Sequence, residues 1–266
     1  HNSSWSTYSS DWGDYDQHVN VIFGIQQNTD GSLGLVYINT SEPAPEVILT
    51  ETVNTSGGEV VAAAFDPNEN LLYFVLGNTL YVNDMNTEDP SVVIGTLPGI
   101  PAGGAFINGN FYYLDADPNS PNYNEIIEVQ LIYDGTTGSW SMTINDNFSD
   151  PYTLTFGTSY QITDMASDGD DIYLVGIDPY GNVDLIVCNV DAASGTGTWN
   201  SSKTSTQLNG DTQIAFGPDG GLYAVDTDNV GNSQLVSVDL DTGDKNIIDN
   251  NSGTSIGGMS DLVTGR

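Results

Sequence analysis

Side-chain oxygens at alternate positions are the first candidates for chemistry in this chain. Asp115-Ala116-Asp117-Pro118-Asn119 carries them at 115, 117 and 119, and Glu125 follows after a polar stretch. That is the opening pattern of a calcium loop, in which one turn gathers hard oxygen ligands around a hard cation. Asp115, Asp117 and Asn119 are therefore the candidate calcium ligands. The match is partial, because Ser120 stands where such a loop has Gly and Glu125 arrives one residue early. Asp and Asn are also ordinary turn formers, and plain turns are the preferred reading here. The same holds more strongly at the shorter echoes, Asp168, Asp170 and Asp171, and Asp226 and Asp228.

Nitrogen and sulfur offer less. An N-terminal His can chelate copper through its amino group and ring, and His18 is available as a second nitrogen ligand, but an incidental terminal residue is the preferred reading over a copper site. Cys188 is the only cysteine, so no intramolecular disulfide forms. It lies in the alternating stretch Leu185-Ile186-Val187-Cys188 with no basic neighbour to lower its pKa, and reads as a small buried hydrophobe. A Ser/His/Asp set is excluded because neither His lies in a repeat, and no Gly-rich phosphate loop opens a helix. Asn2, Asn39, Asn54, Asn147, Asn200 and Asn250 each precede x-Ser or x-Thr. They are glycosylation candidates in a cell that glycosylates secreted proteins.

The elements that must position these residues come from a phrase used five times: an apolar residue, an aromatic, any residue, an aliphatic, and Asn or Asp three positions later. It reads Ile22-Phe23-Gly24-Ile25 to Asn28, Leu72-Tyr73-Phe74-Val75 to Asn78, Phe111-Tyr112-Tyr113-Leu114 to Asp117, Ile172-Tyr173-Leu174-Val175 to Asp178, and Leu222-Tyr223-Ala224-Val225 to Asp228. The aromatics fall 50, 39, 61 and 50 residues apart, the period of a propeller blade. A small-residue stretch precedes the phrase, as at Ala64-Phe65, Ala105-Phe106, Ala166-Ser167 and Ala215-Phe216, and two alternating strands follow it. Period-two alternation bounded by Gly, Pro, Asn and Asp predicts hairpin-joined strands, and no window of the repeats has a helical period. Four antiparallel strands repeated radially make an all-β chain with a single β-propeller.

Four units are complete, and the first, from about residue 19 to 50, lacks its upstream strand. Ile256-Gly257-Gly258-Met259-Ser260 matches Ile162-Thr163-Asp164-Met165-Ala166, so the C-terminal strand is expected to complete the first blade and close the ring. Five blades follow, with a sixth only if the long third unit hides another. Residues 1–18 form an N-terminal extension and residues 19–266 the propeller domain. Glycosidic cleavage needs two carboxylates flanking one bond. On this alignment the inner-strand positions that would hold them are Ala62, Gly103, Asp164, Gln213 and Gly258. Only Asp164 is acidic, which argues against a hydrolase of that kind.

Charge removes two classes of partner. Thirty-six acidic residues stand against Lys203, Lys245 and Arg266, a formal charge of −33. That field repels phosphate backbones and anionic lipid surfaces, so neither nucleic acid nor a membrane surface is an expected partner. The acids are scattered through turns, as on a solvated surface in an extracellular or salty medium. No run of about 18 apolar residues spans a membrane. A first residue other than Met fits a leader already removed, and secretion is expected.

The fifth unit, Gly217-Pro218-Asp219-Gly220-Gly221-Leu222-Tyr223-Ala224-Val225-Asp226 with Ser237-Val238-Asp239-Leu240-Asp241-Thr242-Gly243, resembles the PDGxLYAVD…VDLDTG repeats of secreted bacterial β-propellers of uncharacterised function. The phrase is weaker in units two and four and degenerate elsewhere. The resemblance implies the fold over about 250 residues and supplies no catalytic residue.

Residues 1–18 depart most from the repeat. Trp5, Tyr8, Trp12 and Tyr15 recur every three or four positions among Ser, Asp and Gly. Four large aromatics without a domain of their own require a surface, either on their own propeller or on a neighbouring copy. The expected function is that of a secreted, non-enzymatic structural or adhesive protein at the cell exterior or surface. It self-associates into a homo-oligomer or polymer, such as filaments, through these aromatics. It needs no cofactor, and calcium is the one candidate ion. The alternative is a carbohydrate-binding or carbohydrate-active propeller that uses a groove lined by Tyr and Trp.

Overall fold

A computed structural model describes residues 21–27, 33–40, 47–53, 60–87, 89–145, 160–190, 200–210, 212–227, 232–249 and 259–264. They form five four-stranded antiparallel sheets. Blade 1 holds β1 (Val21–Gln27), β2 (Leu33–Asn39), β3 (Val47–Val53) and β20 (Met259–Val263). Blade 2 holds β4 (Val60–Asp66), β5 (Leu71–Leu76), β6 (Thr79–Asp84) and β7 (Val92–Thr96). Blade 3 holds β8 (Pro101–Ile107), β9 (Asn110–Asp115), β10 (Ile126–Asp134) and β11 (Ser139–Asn145). Blade 4 holds β12 (Gln161–Ser167), β13 (Asp171–Ile177), β14 (Val183–Asn189) and β15 (Asn200–Ser205). Blade 5 holds β16 (Thr212–Phe216), β17 (Leu222–Thr227), β18 (Ser233–Val238) and β19 (Lys245–Asp249). The fold class, the five blades and closure by the C-terminal strand are as the sequence predicts.

The repeated phrase is the second strand of every blade, and it is buried on both faces because neighbouring blades cover both. Tyr73 stacks on Phe106 of blade 3 at 5.3 Å, while the next residue, Phe74, stacks on Tyr81 on the side facing blade 1. Tyr173 of blade 4 meets Phe216 of blade 5 edge-on at 4.8 Å. Five apolar clusters result, one in each gap between adjacent blades. Tight turns set the hairpin registers. Asn108-Gly109, with φ of 51° and 85°, joins Ile107 to Asn110, the positive-φ pair that a two-residue hairpin requires.

The inner strands β4, β8, β12, β16 and β20 follow one another around the centre and return to β4. Gly104 makes the β4–β8 contact possible. A Cβ there would lie 2.5 Å from the Ala63 carbonyl oxygen.

The register of the closing strand corrects the sequence alignment. Met259 pairs with Gln26, and Ile162 pairs with Gly176 at the same place in blade 4. Met259 therefore stands where Ile162 does, three positions from the expected match to Met165. Each strand then bulges by one residue, so Asp261 opposite Ile25 is the counterpart of Asp164 opposite Val175. The inner ring thus carries two carboxylates, Asp164 and Asp261, where the sequence alignment found one. The short motif misled because Met-Ser resembles Met-Ala, whereas the buried pair that fixes the register is Leu262-Val263.

Candidate functional site

Inner-strand register brings Ala62, Asp164, Gln213 and Asp261 to one level of the ring, and Gly103, at the bulge of β8, lies against the backbone of Asp164 and Met165. Asp164 and Asp261 are 2% and 3% exposed. Asp164 accepts a 2.6 Å hydrogen bond from the Ile214 N–H of the next inner strand and another from the Met165 N–H. Asp261 accepts from the N–H groups of Leu262 and of Ala63, again on the next strand around. The two carboxyls are also side-chain hydrogen-bond partners of each other. Burial raises Asp164 to about 7 against the favourable pull of its N–H donors. Burial, and then the charge of Asp164, pushes Asp261 well above the usual carboxylate range. Like charges in contact away from water cannot both ionise cheaply, so the pair keeps a proton near neutrality.

One residue further along each strand, Met165 and Leu262 line a cavity of about 510 Å³. Blades 1 to 4 line it. Phe65 and Phe106 supply aromatic walls, and Asp66, Asn68, Glu69 and Asn108 supply polar groups. Asp66 caps its own turn, accepting from the N–H groups of Asn68 at 2.9 Å and Glu69 at 3.4 Å. The Tyr73 phenol is pushed up by burial first and then by Asp66 and Glu69, so it stays neutral.

Sequence reasoning missed a second polar cluster. Lys203 Nζ donates to Asp184 Oδ2 at 2.9 Å and to the Tyr160 hydroxyl at 2.8 Å. Tyr160 itself donates to Asp184 Oδ2 at 2.7 Å, and the Ser205 hydroxyl to Oδ1 at 2.8 Å. Burial works against the Asp184 charge, but the hydrogen bonds from Tyr160, Lys203 and Ser205 overcome it and hold the carboxyl below its usual range. The hydrogen bonds to Tyr160 and Asp184 push Lys203 up. Lys245 is spent in the same way on the buried Asp226, at 2.7 Å. Both described lysines are thus structural counter-charges. No local signal marks these sites, because the partners lie 19 and 43 residues apart in the chain.

The candidate calcium ligands form consecutive turns. Asp115 is fully buried, and its Oδ1 accepts from the N–H groups of Ile100 at 3.1 Å and Asp117 at 2.9 Å. It thereby pins the linker entering blade 3, as Asp226 pins Asn209 before blade 5. Asp117 Oδ1 accepts from the Asn119 N–H at 2.9 Å. Among the described residues no three His, Cys, Asp or Glu side chains gather in a metal-holding group. Asp168 caps its own turn through Asp170 and Asp171, and Asp228 lies outside the described residues. Cys188 is buried in β14. Asn39 ends β2 and Asn200 begins β15. Asn2, Asn54, Asn147 and Asn250 lie outside the described residues, as do His1, His18 and the aromatics Trp5, Tyr8, Trp12 and Tyr15.

Among the described residues no helix is long and apolar enough to cross a membrane. Exposed large apolar groups are spread over the described residues, with Tyr180 the most exposed and Ile100, Tyr123 and Ile247 standing apart, and four of them lie on blades 2 and 3. Val92 and Val93 begin β7, and Ile132 and Tyr133 end β10, at 47%, 54%, 50% and 57% exposure. Strands β7 and β11 lie side by side, with Met142 over Gly95. Trp140 packs between Tyr133 at 5.0 Å and Tyr73 at 6.1 Å.

No protein-family model and no curated protein matches the chain. Solved structures share its fold. A chain of the nidogen/laminin complex is similar with a TM-score of 0.54 and 12% identity, over 86% of this chain and 77% of that one. A candidate 6-phosphogluconolactonase of Bacteroides uniformis has a TM-score of 0.42 and 13% identity, over 83% of this chain and 68% of its own. Another, of Bacteroides fragilis, has a TM-score of 0.48 and 10% identity, over 87% and 82%. This is a β-propeller. At such identities the likeness extends to the fold alone.

Proposed function

We propose that this propeller is a secreted, non-enzymatic protein that acts structurally or adhesively outside the cell by self-association. The observation that carries the reading is the set of exposed apolar groups on blades 2 and 3, Val92 and Val93 on β7 and Ile132 and Tyr133 on β10, on a chain of formal charge −33. Exposed apolar groups on a strongly charged surface suit a contact site. The occupant proposed for these groups is the aromatic extension of a neighbouring copy, through Trp5, Tyr8, Trp12 and Tyr15. An arm that always binds the next copy makes a heterologous contact, which builds closed rings or open filaments. The non-enzymatic part rests on the carboxyl pair. An acid and a base must flank an accessible bond, whereas Asp164 and Asp261 are buried and paired with each other and do not line the cavity.

The test replaces Ile132 and Tyr133 by Ser and follows sedimentation at high salt. Loss of association supports this contact, and unchanged association refutes it. A second reading, carbohydrate binding, is favoured by the cavity, where Phe65 and Phe106 stand among Asn68, Asn108, Asp66 and Glu69. Aromatic faces with amide and carboxylate acceptors suit a polyol. Binding to a glycan panel that Phe106→Ala abolishes, in a protein that stays monomeric, would replace the first reading with this one.

A further inference from the structure

We propose that Asp164 and Asp261 form a proton-shared latch that fastens the closing strand β20 to blade 4 across the centre of the ring, and that loss of the shared proton loosens the closure.

The topology gives the latch its reach. Around the ring β16 stands between β12 and β20, so the Asp164–Asp261 contact joins two inner strands that are not neighbours. Each carboxyl also holds the next strand around, Asp164 through the Ile214 N–H and Asp261 through the Ala63 N–H. Three residues past Asp261, the Thr264 hydroxyl donates to the Ser167 carbonyl at 3.2 Å and accepts from the Phe216 N–H at 3.2 Å. The end of the chain is thus sewn to blades 4 and 5 by polar contacts as well as by its ladder with β1.

The donor set selects a proton over a metal ion. The groups around the pair are Ala62 and Ala63 from β4, Gly103 and Gly104 from β8, Met165 from β12, Gln213 and Ile214 from β16, and Leu262 from β20. None is charged, and among the described residues the charge acting on either carboxyl is that of the other. The backbone groups that reach the oxygens are N–H donors, which favour an anion and disfavour a cation. Asp261 Oδ2 is buried without a hydrogen-bond partner, which is where an acid proton shared with Asp164 belongs. One proton between two carboxyls leaves a single negative charge, held by the N–H groups of Met165, Ile214, Leu262 and Ala63.

The sign follows from linkage. The folded state keeps a proton that the unfolded chain has released above about pH 4, so the contribution of the latch is full in acid and drains as pH rises through the raised folded values. Each excess proton costs about tenfold in the folding equilibrium per pH unit over that window.

The test is denaturant unfolding from pH 5 to pH 9 in 1 M NaCl, where surface repulsion is screened to about 3 Å. The parent should lose stability with rising pH, and Asp164→Asn and Asp261→Asn should each flatten that slope, since an amide donates to the remaining carboxylate at every pH. Parallel slopes in parent and variants would overturn the latch. A gain in parent stability with calcium or magnesium over chelator at pH 8, abolished by Asp164→Asn, would overturn it in favour of a cation. Should the variants fail to fold, amide exchange in the parent decides, after correction for the intrinsic pH dependence. Protection at residues 261–264 should fall above pH 7 relative to residues 110–115, and constant relative protection would overturn the proposal.

Discussion

Individual side chains in this propeller do mostly structural chemistry, and the Lys203 cluster tests that directly. Lys203→Met removes the counter-charge and leaves Asp184, 1% exposed, with Tyr160 and Ser205 alone. The expected loss is about 1–3 kcal/mol, the range for stranding a buried polar group. The Asp184 carboxyl sits below its usual value in the folded state. Its contribution is therefore full above the unfolded value of about 4 and is lost as pH falls through the lowered one. The urea-midpoint gap between parent and variant should accordingly shrink below pH 4, and a gap independent of pH would show that Lys203 acts by packing. At Asp115, Asp117 and Asn119, equal melting temperatures with calcium and with chelator at fixed ionic strength would retire the proposed ion site. A rise that Asp117→Asn removes would establish it. Residues were legible in sequence only where chemistry is local. The Asp and Asn turns could be read from spacing, as could the buried Cys188. The Lys203–Asp184 and Lys245–Asp226 pairs could not, because only strand register brings them together.

At the scale of elements, the sequence read well wherever period and punctuation coincide. The five aromatic strands emerge because neighbouring blades bury both their faces, and the Asn108-Gly109 turn announces its hairpin. The closing strand was legible in existence and wrong in register. Its motif is short, and only pairing with β1 reveals that Leu262-Val263, and not Met259-Ser260, stand where Met165-Ala166 do. That slip hid Asp261 and with it half of the carboxyl pair. Two predictions belong here. Removing residues 259–266 should unfold the domain as a whole, since it bares the edge of β1 and removes one inner strand. A truncated protein with the parent's melting temperature would show that closure contributes nothing. Gly104→Ala places a methyl 2.5 Å from the Ala63 carbonyl, a backbone contact that cannot yield as a flexible side chain would. The expected cost is about 1–3 kcal/mol or more, measured by chemical denaturation, and an unperturbed variant would mean that β4 and β8 approach less closely than described.

For the whole molecule, the formal charge of −33 sets the terms of both stability and association. Surface repulsion opposes the compact state and the approach of copies alike, and salt screens it over about 10 Å at 0.1 M. Melting temperature should therefore rise with NaCl, and assembly should strengthen with it. The fold could be read from the sequence because repetition repeats the evidence, whereas the contact surface could not. Val92 and Val93 lie on β7 and Ile132 and Tyr133 on β10, and only folding brings blades 2 and 3 side by side. The most direct measurement of the central claim is sedimentation, with electron microscopy, of the parent and of a variant lacking residues 2–16, both at high protein concentration and high salt. Self-association through the arm predicts ordered oligomers or filaments for the parent and monomers for the deletion. A strictly monomeric parent, or a deletion that assembles like the parent, would contradict it.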